Sequence, residues 1–252
     1  MNITLLAHTG LSEFEFGAKA EDLGWDPTSH NGTETLLEFA GRACYQSWSK
    51  PNPKTADTEA YIRNVLLQKH LSVVEHATAS FYFEDVSRSL THELVRHRHL
   101  SFSQLSQRYV NPGDAHPVIP PLFELELAAT DIIHTLFEQA VDAYASLVKV
   151  GEMAGAARKQ VREAARCVLP NCTPTAIVVS GNFRSWLEFI EKRDSPSADA
   201  EIQRAASRVR ELLAEVSPTV FGGERPSIGA EQGAIMYDRA TPAKPEPEFV
   251  DE

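Results

Sequence analysis

Along most of the chain apolar residues recur with a helical period, and in two places that period gives way to alternation. Between Thr33 and Tyr45, residues Leu36, Leu37, Phe39, Ala40 and Ala43 share one side. Between Ala60 and Leu71, residues Tyr61, Val65 and Leu67 or Leu71 do the same, so both stretches predict amphipathic helices. From Ala77 to Asp85 the chain alternates, with Ala77, Ala79, Phe81 and Phe83 on one face and Thr78, Ser80 and Tyr82 on the other, the pattern of a half-buried strand. Ser87 then stands where it can cap a helix running through Arg96. Pro117, Pro120 and Pro121 break the chain. Beyond them Glu124 to Met153 predicts one long helix through Leu127, Ile132, Leu136, Ala140, Tyr144 and Leu147 or Val148. Ala154 to Val168 predicts another, and the β-branched run TAIVVS, Thr175 to Ser180, predicts a second buried strand. Asn182 sits at the N-cap of a helix carrying Trp186, Phe189 and Ile190, and a last helix is expected from Ser197 to Val216. Short strands among longer helices point to an α+β fold, mixed helices with a short-stranded sheet, rather than a doubly wound one.

Composition sharpens this picture in two respects. The 252 residues, 42% hydrophobic, fit one sizeable globular domain or two small ones. No internal repeat is visible, and composition shifts only at the end. The division expected is therefore a folded domain over 1–221 and a mobile, acidic, Gly/Pro-rich tail over 222–252. A net charge of −11 argues against a protein that coats nucleic acid or an anionic membrane, so any anion site must be local. Cys44, Cys167 and Cys172 are an odd number with no C-x-x-C spacing, which fits a reducing cytoplasm better than a disulfide framework. The opening MNITLLAHTG lacks the basic and apolar segments of a leader, and no run approaches the ~18 apolar residues of a membrane span. A soluble, unexported protein is the expectation.

There is no G-x-G-x-x-G and no G-x-x-x-x-G-K-[ST], so a nucleotide would have to be held by arginines. Three sets of them stand out. The densest is RHRHLSFSQLSQR, Arg96 to Arg108, a concentration of guanidiniums, hydroxyls and amides suited to phosphate oxygens or a pyrimidine edge. A solvated basic face paired with Glu93 is the competing reading. Arg158, Arg162 and Arg166 recur every four residues on one helix face, with Glu163 on another side, and read equally as a ligand site or a solvent-facing stripe. Asn182, Arg184 and Arg193 surround a strand-to-helix junction, where free backbone N–H groups and the helix dipole favour an anion. His92, His97 and His99 lack the further ligands of a metal spacing, so no metal is expected. His70, Glu75 and His76, in HLSVVEHAT, form a helix exit into a strand and read as a buried hydrogen-bonded pair. No cysteine lies in an evident His-paired motif and no G-x-S-x-G elbow is present.

RHRHLSFSQLSQRY resembles the signature of the flavin-dependent thymidylate synthases. The likeness extends to EFAGRACYQSWSKPNPKTA, SVVEHATASFYF, SRSLTHELVRHRH, ARCVLPNCTPTAIVVSGNFRSW and FIEKR, in the family's order, from about residue 36 to residue 216. The resemblance implies a cytoplasmic enzyme that converts dUMP to dTMP with 5,10-methylenetetrahydrofolate as carbon donor, FAD as redox carrier and NADPH as reductant. It also implies a homotetramer with active sites where subunits meet, and no cysteine nucleophile. Position by position it implies FAD contacts at Ser72, Arg96, His97, Arg98, Gln104, Asn182, Phe183, Arg184 and Glu188. At Gln104 some members have Glu, and at Glu188 the family pattern leads one to expect Asn or His, so a negative charge there is a departure. For dUMP it points to Glu93, Leu94, Val95 and Arg96, to Gln104, Leu105, Ser106, Gln107 and Arg108, and to Arg166. Arg193 matches the arginine that activates the pyrimidine, and His70 and Tyr45 are similar to residues lining the flavin and folate region.

Two rival readings are distinguishable by simple observations. A module holding RNA through RHRH and the arginine stripe would bind in a salt-dependent way without FAD. A catalytically dead, structural member would hold FAD without turnover.

Overall fold

The computed structural model describes residues 1–50, 52–113 and 115–223; of the segment read as a tail, 224–252 lies outside the described residues. The chain opens with strand β1 (Asn2–His8) and helices α1 (Glu13–Asp22), α2 (Gly32–Tyr45) and α3 (Thr58–Leu67). Strand β2 (Thr78–Ser87) runs directly into α4 (Arg88–Leu94), followed by β3 (Ser101–Gln104), α5 (Leu127–Met153) and α6 (Arg158–Ala165). Strand β4 (Pro174–Asn182) then leads into α7 (Phe183–Arg193), α8 (Ala200–Val216) and α9 (Pro218–Phe221).

Among the described residues the strands form one four-stranded antiparallel sheet in the order β1-β2-β4-β3. With the helices around it, this is the mixed α+β architecture expected. The alternation of β2 works as predicted: Ala79, Phe81 and Phe83 are buried, as are Ile177 and Val179 beside them on β4. That face packs against Trp186, Phe189 and Ile190 of α7 and against Ile202, Ala205, Val209 and Leu213 of α8. Phe81 and Trp186 meet edge to face at 4.9 Å, and the buried indole N–H donates to Ala79 O at 3.1 Å, so the largest core side chain leaves no polar atom unsatisfied. One extra residue on β2 breaks its register with β4 between Phe83 and Val86, with Asp85 in a left-handed conformation (φ 51°).

Several boundaries differ from the sequence pattern, each for a local reason. α3 stops at Leu67 because Lys69 turns left-handed (φ 56°) and His70 N returns to Val65 O at 3.0 Å. Ile62 and Val65, not Leu67, face the core. α5 starts only at Leu127, after a 3-10 turn over Pro121–Phe123. A left-handed Gly155 (φ 76°) separates it from α6, whose last turn tightens into the 3-10 segment Arg166–Val168. Ser87 and Asn182 do cap α4 and α7, accepting from Leu90 N (2.9 Å) and Ser185 N (2.9 Å). β1, α1 and the short β3 were not anticipated. His70 and His76 are exposed rather than buried, and Glu75 pairs with Arg184 at 2.6 Å instead. In α5 only Phe137 and Tyr144 are buried; Leu127, Ile132 and Leu136 are 80%, 60% and 59% exposed.

A buried ion pair ties α2 to the chain after it. Arg42 donates to Glu38 at 2.6 Å, to Ser47 O at 3.0 Å and to Thr55 O at 2.9 Å, and its guanidinium lies 4.6 Å from the centre of the Tyr61 ring. Glu38 also accepts from Thr58 at 2.6 Å. Gly181 lies so close to Leu100 that a Cβ there would stand 2.3 Å from its Cδ2. Leu100 is thereby seated on β4, which fixes the turn carrying the RHRH residues.

Candidate active site

The residues Arg96 to His99 form the tight turn between α4 and β3, held by Arg96 N to Glu93 O (3.2 Å), His97 N to Leu94 O (3.1 Å) and Leu100 N to His97 O (3.0 Å). The turn faces α7, and between them lies a cavity of about 210 Å³. Arg96, His97, Arg98 and His99 line one side; Ser185, Glu188, Lys192 and Arg193 line the other. A sequence separation of about a hundred residues thus closes into one site, because β3 and β4 are sheet neighbours and α7 continues directly from β4.

Arg193, the last residue of α7, is held from two directions. Its Nη1 donates to Glu93 Oε2 at 2.6 Å and its Nε to His97 Nε2 at 3.1 Å, while Nη2 reaches only Glu93 O at 3.5 Å. By accepting through Nε2, His97 is set as the tautomer protonated on Nδ1. Its pKa is pushed down to about 4 by burial, with the positive charges of Arg193 and Lys192 adding to the effect, so it is neutral at pH 7. The ring packs edge-on against Phe189 at 5.1 Å, which fixes its plane. Burial raises the pKa of the Glu93 carboxyl, reinforced by the nearby charge of Asp199 and opposed by Arg193. Glu188 is held below the usual carboxylate range, chiefly by its hydrogen bond from Lys192.

A second polar group lies at the other end of α4. Arg88 is half-buried and donates to Leu105 O (3.2 Å), Thr175 Oγ1 (3.4 Å) and Gln107 Oε1 (3.3 Å), all neutral acceptors. Burial, and then the charge of Arg166, lower its pKa. Two neighbouring cations, one of them half-buried and served only by neutral acceptors, make a place that favours an anion. Beside them Gln104 spends its amide N–H groups on Thr91 Oγ1 (3.0 Å) and Thr175 Oγ1 (3.4 Å), leaving its oxygen turned to acceptor duty. A larger cavity, about 740 Å³, lies near Asp85, Pro117 and Glu124, but its guanidinium, Arg204, is already paired with Glu124 at 2.5 Å. Of the two cavities, the smaller is the one with the concentration of donors, and it is the candidate site.

The family model described as "Thymidylate synthase complementing protein" matches residues 28–219. The chain is 49% identical over 208 residues to the flavin-dependent thymidylate synthase of Mycobacteroides abscessus, covering 80% of this chain and 83% of that protein. Over 228 residues it is 47% identical to that of Mycobacterium marinum, covering 86% and 91%. The chain belongs to the flavin-dependent thymidylate synthase family. A crystal structure of the flavin-dependent thymidylate synthase ThyX from Helicobacter pylori, complexed with FAD and dUMP, matches with a TM-score of 0.62 over 88% of this chain and 98% of that one. At 21% identity that likeness shows the family fold.

The structure sorts the residues singled out by the resemblance to this family into groups. Arg96, His97, Arg98, Glu188 and Arg193 surround the small cavity, with Glu93 behind Arg193. Gln104 and Gln107 gather around Arg88, and Arg166 lies near it. Leu105 and Val95 are exposed, Ser106 is half-buried, and Arg108 lies 3.9 Å from Glu163. Ser72 is exposed on the 3-10 turn that precedes β2, and Asn182 spends its side-chain oxygen on Ser185. The side chains of Leu94 and Phe183 are in the core, Phe183 against Phe221 at 4.9 Å, so only their main chains can meet a ligand. Arg162 reaches across to Tyr109 O, and Arg158 is exposed. Sequence reasoning passed over Arg88 and Lys192. Arg88 carried one signal, a cation in a first helical turn where the dipole disfavours it. Lys192 carried another, its four-residue spacing from Glu188.

Proposed function

We propose that this chain is a flavin-dependent thymidylate synthase that converts dUMP to dTMP, with 5,10-methylenetetrahydrofolate as carbon donor and NADPH as reductant. A methylene carbon delivered to C5 of uracil needs two further electrons to become a methyl group, and bound FAD supplies the redox chemistry that passes them on as hydride. The observation that carries the proposal is the arrangement around Arg193. A guanidinium fixed by Glu93 and His97 at the rim of a donor-lined cavity is preorganised to stabilise negative charge developing on a pyrimidine. Its Nη2, with only a 3.5 Å contact, is the least engaged of the three nitrogens and the donor best placed for that task. A neutral His97 accepts from the guanidinium without repelling it. Among the three cysteines Cys44 and Cys167 are exposed, burial pushes the Cys172 thiol up, and none lines the cavity, which supports chemistry without a thiolate adduct.

The donor chemistry fits FAD: Arg96 and Arg98 suit a pyrophosphate. The second cluster, Gln104 to Arg108 with Arg88 and Arg166, suits the dUMP phosphate. Ser72, Asn182, Phe183 and Arg184 complete the proposed flavin contacts. The volume, about 210 Å³, lies below the ~300–1,000 Å³ of pockets that hold drug-sized ligands, so one chain offers room for part of a dinucleotide. The exposed apolar side chains of α5 and the exposed Arg158 and Arg166 support the completion of each site by further copies in a homotetramer. No helix among the described residues is long and apolar enough to cross a membrane, and a cytoplasmic location belongs to the same proposal.

A visible absorption spectrum of the freshly purified protein tests the reading. Flavin bands that bleach with anaerobic NADPH and return on adding dUMP with methylenetetrahydrofolate support it. A colourless protein that also refuses added FAD overturns it. Light scattering tests the assembly, and an active monomer contradicts shared sites.

A further inference from the structure

Lys192 stands one helical turn beyond Glu188 on the cavity side of α7, and its Nζ donates to Glu188 Oε1 at 2.5 Å. Among the described residues Glu188 is the only carboxylate lining this cavity. Across from it stand Arg96 and Arg98, which have no ion-pair partner among the described residues, while Arg193 is already engaged by Glu93. An exposed pair at this spacing adds little to stability, so its interest lies in where it is. A carboxylate in a cavity built for an anion acts against binding twice: it repels the ligand, and it competes for the guanidiniums that should receive it.

We propose that Lys192 holds Glu188 away from Arg96 and Arg98, so that both guanidiniums stay available to the phosphate groups of the bound ligand. The inference rests on the reading of this cavity as the FAD site. The geometry favours Lys192 as the captor. Both residues lie on one rigid helix, with the acid N-terminal to the base, the better orientation for such a pair. The lysine also falls in the last turn of α7, where the helix dipole welcomes a cation. The arginines, by contrast, belong to a turn across the cavity. The low proton affinity of Glu188 agrees, since the bond from Lys192 is its largest cause. Lys192 is thus a positioning residue, and it makes a carboxylate tolerable at a place where charge of that sign is out of keeping.

FAD affinity, read from quenching of flavin fluorescence on the full chain, tests this with three variants. Lys192→Ala is expected to weaken FAD about five- to tenfold, the scale of one uncompensated charge at partial exposure. Glu188→Gln should bind as tightly as wild type or more so. The double variant should return to within about twofold of Glu188→Gln. Wild-type affinity in Lys192→Ala overturns the proposal, and so does a double variant as weak as Lys192→Ala, which would make Lys192 a direct ligand contact. Weak binding by Glu188→Gln alone also overturns it, since Glu188 would then be a needed acceptor. If wild-type protein refuses FAD, the FAD reading falls, and the same proteins titrated with inorganic pyrophosphate test the ion pair by itself. The same order of affinities then sustains the role of Lys192, and equal affinities end it. Both side chains are well exposed, so unfolding midpoints near wild type are expected to show that the variants fold.

Discussion

Arg193→Ala removes a charge that both of its partners register. The Arg193–Glu93 pair is about a quarter exposed (23% and 25%), and the guanidinium sits 3.1 Å from His97 Nε2. Unit charges a few ångströms apart interact with about 1 kcal/mol in water and about 4 kcal/mol near a protein surface. At this exposure, 1–2 kcal/mol is a reasonable order of magnitude for the repulsion between Arg193 and a protonated His97, or roughly one pKa unit. Burial is the larger cause of the depression of His97 and survives the substitution. Its pKa should therefore climb from about 4 to roughly 5, without reaching the ordinary 6.5. Under the proposed function the same variant folds and binds FAD, because Arg193 ends its helix at the surface, but turnover falls by about 10²–10³, the usual loss for one preorganised donor at a developing anion. Imidazole NMR titration and single-turnover assays of dTMP read the two effects separately. Turnover within about threefold of wild type removes Arg193 from its role. An unmoved His97 refutes the electrostatic description of the site even if turnover is lost.

Arg42→Met strands the fully buried Glu38 beside Thr58 and should cost about 3–5 kcal/mol in urea unfolding, with part recovered in Glu38→Gln/Arg42→Met; a loss under 1 kcal/mol contradicts the pairing. Gly181→Ala drives a Cβ into Leu100 and should lower stability by about 1–3 kcal/mol, visible as a lower Tm, whereas an unchanged Tm means Leu100 yields freely. Because the folded pKa of His97 lies below its unfolded value of 6.5, the unfolded chain binds more protons between them. Its contribution is therefore whole above pH 6.5 and is lost as pH falls through about 4, so His97→Gln should flatten the stability profile in that window. A profile as steep as wild type would place the acid sensitivity elsewhere.

Much of this architecture can be read from the chain because local signals and burial agree. The alternation from Ala77 to Phe83 becomes β2, and Ser87 and Asn182 cap the helices their positions suggest. β3 is invisible to such reading: its four residues, SFSQ, carry one apolar side chain, Phe102, among three polar ones, too short a run to show alternation, and they form an edge strand that pairs with β4. The site divides the same way. Guanidinium clusters are conspicuous in sequence, but spacing says nothing of which acid each meets. Glu93 finds Arg193 a hundred residues away, and Glu188 finds Lys192 on its own helix. The burial of Arg88 depends on Leu105 and Gln107, just beyond β3, converging with Thr175 of β4, which no local pattern encodes. The periodic face of α5 was legible as apolar; that most of it remains uncovered in one chain is a property of the surroundings.

The strand order β1-β2-β4-β3 also sets a timetable. β2 is complete at Ser87, yet its neighbour on the core side ends at Asn182, so roughly ninety residues must leave the ribosome before that edge is covered. Pairings this distant in sequence close slowly, since loop entropy is lost before the contacts repay it. Until then Phe81 and Phe83 have neither Ile177 nor Trp186 to pack on, and an unpaired apolar strand is the part of a nascent chain most prone to wrong partners. The turn bearing Arg96 and Arg98 emerges well before Arg193, so under the proposed function the ligand site is complete only after Arg193 has been made. A ligand captured there would act as a trap for the finished fold, holding together two regions that the sheet alone brings into reach.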